Sequence, residues 1–316
     1  MKISRRQFLQ AGSGALAISV AGSRSLAANP AANPAQKKTA APSLKNALGI
    51  TTSSLSGHIT PRGGKGKISL LDLPRMMRDE LGMTVIDLNT STLSVTDRKY
   101  LDQLRAAADQ AGCILTNLKM NQGKLDMNSP DKATRVKALN TYKQSIEVAS
   151  QLGLKWARPL PLKPRPDMQI HIASYRELCD YGAERNVQLL VENYGWMQSD
   201  PASVVKLVEA IGHNVAACPD TGNWDSEPLR YAGLEKTFPI AVTCDFKARA
   251  IGPRGEHPLY DLKRCFEIGW QAGFRGPWCF EHANKDRQML FKELGMLRDM
   301  LQTWTKEAAA GESSGS

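Results

Sequence analysis

The chain has 316 residues, 42% of them hydrophobic, enough for one large core rather than two average domains. Its net charge of +10 invites a nucleic-acid partner, but residues 1–45 hold seven basic side chains and no acid, and the first acid is Asp72. Beyond residue 45, 34 basic residues face 31 acidic ones, a net of +3, so the folded part has only a weak electrostatic footprint for nucleic acid and no nucleic-acid partner is expected.

In chain order, residues 4–10 (SRRQFLQ) set paired arginines ahead of a Gly/Ala-rich apolar run from Ala11 to Gly22, and Ser25-Leu26-Ala27 offers small residues to a signal peptidase. This start resembles a twin-arginine export signal, with cleavage expected after Ala27 and a periplasmic destination. The apolar run is too short to span a bilayer, so no stable membrane span is expected after cleavage. Residues 28–45 are Ala, Pro, Asn and Lys without periodicity and read as a disordered tether.

From Asn46 onward, apolar runs of strand length alternate with amphipathic segments. Strands are expected at 47–53, 84–89, 113–120, 155–160, 187–193, 215–220, 241–247 and 277–281. Helices are expected at 69–82, 97–111, 130–152, 168–185, 200–212, 227–237, 260–273 and 287–307. Gly82, Gly112, Gly153, Gly212 and Gly273 mark helix stops. Ser129-Pro130 and Asp200-Pro201 place a capping side chain before a proline at the first helical position. Eight such units predict a single-domain α/β fold, a (β/α)8 TIM barrel over residues 46–307, with 308–316 as a disordered tail. A doubly wound open sheet uses the same alternation, but no GxGxxG follows an early strand. Of six cysteines, Cys113, Cys218, Cys244 and Cys279 sit in apolar strand runs and no CxxC occurs, so buried free thiols are expected.

Four of the strand runs share one form. VQLLVENYG from Val187, VAACPDTGN from Val215, AVTCDFKA from Ala241 and PWCFEHA from Pro277 each carry an acid near the C-terminal end: Glu192, Asp220, Asp245 and Glu281. Parallel barrel strands deliver such ends to one rim, where the acids meet. These are oxygen ligands only, which suits a divalent ion such as Mg²⁺ or Mn²⁺ better than Zn²⁺. Glu192 and Glu281 are the candidates for proton transfer, one removing the proton beside a carbonyl and the other returning it.

LLVENYG, CPDTGNW, the Asp245-Phe246-Lys247 segment and Phe280-Glu281-His282, in that order, resemble the sugar phosphate isomerase/epimerase family with a xylose isomerase-like TIM barrel, related to the family 2 apurinic endonucleases. The resemblance covers about residues 46–307 and is strongest over 187–282. It implies a metal-binding catalytic glutamate at Glu192, with Asp220 and Glu281 as further ligands. Relatives usually carry a His two residues before a Lys on the seventh strand, where this chain has Asp245 before Lys247, and Asp-x-x-His after the sixth, where it has Asn223. An all-carboxylate site is known among the xylose isomerases themselves.

Around this rim, His58, Lys119, Asn121, Arg158, Trp196, Asn223, Lys247 and His282 are candidates for holding a carbohydrate substrate. Tyr194 and Trp224 offer flat faces past strand ends, although loop anchoring serves them equally. His282 follows Glu281 directly, so alternation turns it away from the acids. The segments Thr60–Lys67 and Ala250–His257 are Gly-rich loops expected over the barrel mouth, and the first lacks the GxxxxGK[ST] of a phosphate-binding loop. A metal-dependent sugar isomerase or epimerase is the leading reading. A lyase or hydrolase on a keto sugar and a non-catalytic carbohydrate-binding barrel stay open, as does pairing of the barrel into a homo-oligomer. A nuclease fits poorly, because of the five histidines only His58 and His282 fall at strand ends.

Overall fold

A computed structural model of the chain describes residues 43–121 and 124–314. The expected export signal and all of the tether before Ser43 therefore lie outside the described residues. The described residues form eight wall strands: β1 (Leu48–Thr51), β2 (Val85–Asn89), β3 (Ile114–Met120), β4 (Trp156–Pro159), β5 (Gln188–Val191), β6 (Val215–Ala217), β7 (Cys244–Lys247) and β8 (Trp278–Glu281). Each is followed by a helix: α1 (Leu73–Leu81), α2 (Arg98–Ala111), α3 (Lys132–Gln151), α4 (Met168–Ala183), α5 (Ser203–Ile211), α6 (Glu227–Thr237), α7 (Leu262–Gln271) and α8 (Arg287–Ser314). All neighbours pair in parallel, and β8 returns to β1, so the expected barrel is present. Between β6 and β7 the wall closes through single bridges, Ala217 to Ala241 and Asp220 to Asp245. Across this seam the Asp245 amide donates to the Pro219 carbonyl at 2.9 Å and the Thr221 amide to the Asp245 carbonyl at 3.0 Å.

Successive side chains on a strand face opposite sides, which divides the wall into two surfaces. The outward set, including Ile50, Ile86, Leu118, Leu189 and Phe246, packs into one large apolar core with helix residues such as Leu104, Leu178 and Leu294. The inward set starts apolar at the N-terminal end, where Trp156, Leu190, Ala216 and Cys218 form a separate cluster. Leu44 packs against that cluster, so the last residues of the tether are docked rather than loose.

Helix stops fall where expected. Gly82, Gly112 and Gly212 are left-handed caps, at φ 61°, 65° and 90°, and Gly153 and Gly273 come one residue past theirs. α1 begins at Leu73, four residues later than expected, and both starts with an expected capping side chain before proline also differ. α3 begins after Asp131, whose extended backbone lets its carboxylate accept from the Thr134 amide at 2.8 Å, so Ser129-Pro130 lies before the helix. Before α5, Asp200 accepts from the Ala202 amide at 2.9 Å in a preceding turn, and the helix begins at Ser203.

Three further expectations are corrected. α8 runs to Ser314, so most of the supposed disordered tail is helical; Lys263–Glu307 at 3.3 Å and Arg275–Glu312 at 2.5 Å tie its last turns to the α7 region. Thr60–Lys67 is not a free loop along its whole length, since a two-residue parallel ribbon, Ile59–Thr60 with Ile68–Ser69, and a Gly64–Lys67 bridge close its base. Ala250–His257 turns toward α8, where Gly255 meets Met300, instead of covering the mouth. All six cysteines are buried and free. Among the described residues, no helix is long and apolar enough to cross a membrane.

Candidate active site and metal-binding cluster

Two residues along each strand, the inward set changes from apolar to charged: Trp156 gives way to Arg158, Leu190 to Glu192 and Cys218 to Asp220. Glu192 stands just past β5, Asp220 in the turn after β6, and Asp245 in β7. The seam bridge sets Asp220 and Asp245 side by side. Oxygens of Glu192, Asp220 and Asp245 all lie within 4.8 Å of one another, and this buried cluster could hold a metal ion.

Every one of these acids also meets a cation. Lys119 from β3 donates to Asp245 Oδ1. Arg158 Nε lies 2.9 Å from Glu192 Oε2, near enough for an ion pair yet out of line for a hydrogen bond. Lys247 Nζ donates to Asp220 Oδ2 at 2.5 Å and to Asn223 Oδ1 at 2.9 Å, and lies 3.0 Å from Glu281 Oε1. Asp220 Oδ1 accepts from the backbone amides of Gly222 and Asn223 at 2.7 and 2.9 Å, while Asn223 Nδ2 donates to Glu192 Oε1 at 2.9 Å. Asn193 ties the two turns together, accepting from the Asp220 amide at 2.8 Å and donating to the Asp220 and Asn223 carbonyls at 2.9 Å each.

Removal from water dominates the electrostatics. Burial pushes the Glu192 carboxyl up to about 7, against the pull of Arg158. It also raises Asp220 against Lys247 and Asp245 against Lys119. Glu281 goes the other way: burial acts to raise it, but Lys247 and Lys119 outweigh that and hold it below the ordinary carboxylate range. Burial works to discharge both lysines, yet Asp245 beside Lys119 and Asp220 beside Lys247 hold them above the usual ammonium range.

The donor set fits a hard cation. Asp245 Oδ2 is a buried acceptor with no hydrogen-bond donor, and Glu192 Oε2 has only the misaligned Arg158 beside it, a condition a bound ion relieves. Asp220 contributes less freely, since Lys247 already covers Oδ2. Glu281 stands outside the three-acid cluster, one lysine away, with its side chain 27% exposed. It lines a cavity of about 330 Å³ with Ser53, Ser54, Arg249, His282 and Ala283. Two cavities of about 520 Å³ lie away from the acids, one against α8 and one at the opposite barrel end.

The expected substrate-holding residues divide. Lys119, Arg158, Asn223 and Lys247 are drawn into the acid cluster as its partners. His282 is turned away, as alternation implies, and both ring nitrogens are engaged, Nδ1 with the Ala248 carbonyl and Nε2 with Glu293 of α8 at 2.6 Å, so none is left for a substrate hydroxyl. His58 is tied through Nε2 to the Asn284 carbonyl at 2.8 Å. Asn121 Oδ1 and Trp196 Nε1 are buried without partners. The Trp196 ring lies under Arg165, 5.1 Å from its guanidinium carbon. Trp224 is a loop anchor: its indole donates to the Asp220 carbonyl at 3.1 Å and its ring covers Gly233, where a Cβ would clash at 2.0 Å.

Asp87 is a charged residue of the barrel interior that the sequence reading passed over. It is fully buried on β2, accepts from Thr116 Oγ1 at 2.5 Å, and is raised by burial. The signal was present in the run VIDLN, an acid inside an apolar strand like the other four, but two residues from the strand end. Asn193 was missed because an amide beside a conspicuous acid carries no distinct signal.

The fold and these acids define a closed α/β barrel with a carboxylate cluster at its C-terminal mouth. Residues 79–302 match the xylose isomerase-like TIM barrel family, and the chain belongs to that family. Among solved structures, the D-psicose 3-epimerase of Clostridium cellulolyticum H10 with D-tagatose is similar at TM-score 0.66 and 15% identity, over 81% of this chain and 98% of that one. An L-ribulose 3-epimerase is similar at TM-score 0.68 and 14% identity, over 85% and 97%. A sugar phosphate isomerase/epimerase from Parabacteroides distasonis ATCC 8503 is similar at TM-score 0.58 and 14% identity, over 86% and 98%. At such identities the likeness is one of fold. Among curated proteins, none matches the chain.

Proposed function

We propose that the protein is an isomerase or epimerase of a sugar or polyol ketone, working by proton transfer at the carbon beside the carbonyl. The observation that carries this reading is the convergence of Glu192, Asp220 and Asp245 at the mouth, with Glu281 opening onto the adjoining cavity. Glu192, Asp220 and Asp245 would hold a divalent ion, Mn²⁺ or Mg²⁺ rather than Zn²⁺ by donor type; such an ion, when bound, polarises a carbonyl oxygen.

The chain's own residues do the rest. Glu281 is the one acid of the four with appreciable exposure, so it meets the substrate carbon and takes its proton. Glu192, deeper in the barrel, returns a proton from the other side. The negative charge that develops on the substrate oxygens is countered by the ammonium of Lys247. Family membership and the epimerases of similar fold support the same class of chemistry.

The test is incubation with keto sugars in D₂O. Wild type should place deuterium on the carbon beside the carbonyl, and Glu281→Gln should slow this by about 10²–10⁴-fold. Absence of exchange into a panel of ketopentoses and ketohexoses would count against the reading. We also propose export by the twin-arginine route, on the strength of SRRQFLQ and Ser25-Leu26-Ala27. A mature protein whose first residue is Met1 would refute that.

A further inference from the structure

Lys247 is not a surface lysine that has fallen onto an acid. Its backbone amide donates to Thr221 Oγ1 at 2.9 Å, and its carbonyl accepts from Tyr260 Oη at 2.6 Å. Its stem is clamped by Gly222, where an added Cβ would stand 2.6 Å from Lys247 Cδ and 2.8 Å from Cγ. The side chain is 4% exposed. The fold therefore delivers the ammonium to one place, between Asp220 Oδ2, Asn223 Oδ1 and Glu281 Oε1.

That place belongs to the carboxylate cluster itself. Of the three ligand acids, Glu192 and Asp245 each retain a buried oxygen without a hydrogen-bond donor, that of Glu192 with Arg158 Nε 2.9 Å away, whereas both Asp220 oxygens accept hydrogen bonds, one from backbone amides and one from Lys247. A divalent ion would have to take the remaining lone pair of Asp220 Oδ2 beside the ammonium, which crowds that oxygen and repels the ion.

The geometry points to Lys247 as a resident counter-cation that sets the affinity of the cluster for a divalent ion, which binds only as the ammonium leaves Asp220. The inference rests on the metal reading of Glu192, Asp220 and Asp245, not on any substrate. When the ion takes Asp220, Lys247 remains bonded to Asn223 and paired with Glu281, so its charge is passed toward the residue that faces the cavity. Metal occupancy and the electrostatic surroundings of Glu281 are thereby linked.

The test is titration of the purified full chain with Mn²⁺, read by calorimetry and by the loss of the free-ion electron paramagnetic resonance signal, with no substrate present. Lys247→Met should bind one Mn²⁺ per chain about tenfold or more tightly than wild type. Lys247→Gln, which keeps a donor but not the charge, should also tighten binding. Adding Asp220→Asn to Lys247→Met should abolish the gain. If Lys247→Met is poorly folded without metal, Mn²⁺ should raise its melting temperature by more than it raises that of wild type. Equal or weaker Mn²⁺ binding by both Lys247 variants would overturn the inference. Absence of binding in wild type and variants alike would overturn it together with the metal site, while the deuterium-exchange assay would still stand or fall separately.

Discussion

The two ends of the barrel interior are built from the same strands and differ by a step of two residues. At the closed end, Trp156, Leu190, Ala216 and Cys218 fill the space with apolar volume. At the mouth, Arg158, Glu192 and Asp220 follow them on the same faces, joined by Lys119, Asp245, Lys247 and Glu281. Burial stabilises the first group, since each apolar side chain gains by leaving water. Burial penalises the second, raising three of its carboxyls, and pairing with cations offsets that penalty. The closed end thus supplies stability, and the mouth holds charges that packing alone would not select.

The sharpest way to break this comparison is to unpair a charge. Lys119→Met should cost about 3–5 kcal/mol, because it leaves Asp245 buried without its partner. Urea denaturation would show it, and adding Asp245→Asn should recover much of the loss. At the closed end, Leu190→Ala should cost about 3 kcal/mol through a cavity that cannot fully collapse, while deuterium exchange into substrate persists.

A third perturbation acts outside the wall, where the start of α4 packs against the loops that carry Asn128 and Trp196. His171 on α4 is fully buried, with Nδ1 bonded to Asn128 Oδ1 at 2.7 Å and Nε2 unpartnered, and burial lowers its pKa from 6.5 to about 4. Between those values the unfolded chain binds a proton that the folded chain refuses. Stability contributed by neutral His171 is therefore intact above pH 6.5, falls as pH drops toward 4, and levels below it, a loss of about 3 kcal/mol. Denaturation curves across that range for wild type and His171→Asn should diverge accordingly. The smallest effect belongs to the surface: Glu312→Ala, removing an exposed pair with Arg275, should change stability by about 0.5 kcal/mol or less.

The barrel itself was legible because its signals are local. Apolar runs of strand length, amphipathic segments and glycine stops each occupy a few consecutive residues, and β1–β8 fall within the expected spans. The acids were legible for the same reason, each closing its own run. Their cationic partners were not, since Lys119 meets Asp245 across 126 residues and only closure of the wall brings them together. Lys119 and Arg158 look in the sequence like substrate-holding groups, because a basic residue on a strand shows nothing of which acid it will face. Helix starts were displaced by two or three residues where Asp131 capped in place of Ser129 and where a turn preceded α5. The length of α8 was underestimated because its anchors, Arg275 and Lys263, lie on other segments.

The β6–β7 seam has a consequence for motion. Every other pair of neighbouring strands is joined by a ladder, whereas here Val242, Asp245 and Thr221 provide the few rungs that cross. Native-state opening starts where cross-links are fewest, so these amides should exchange with solvent ahead of those in β1–β5. The two banks of the seam carry Asp220 and Asp245. Breathing of the wall and separation of the acids are therefore one and the same fluctuation, and whatever bridges the acids also fastens the barrel shut.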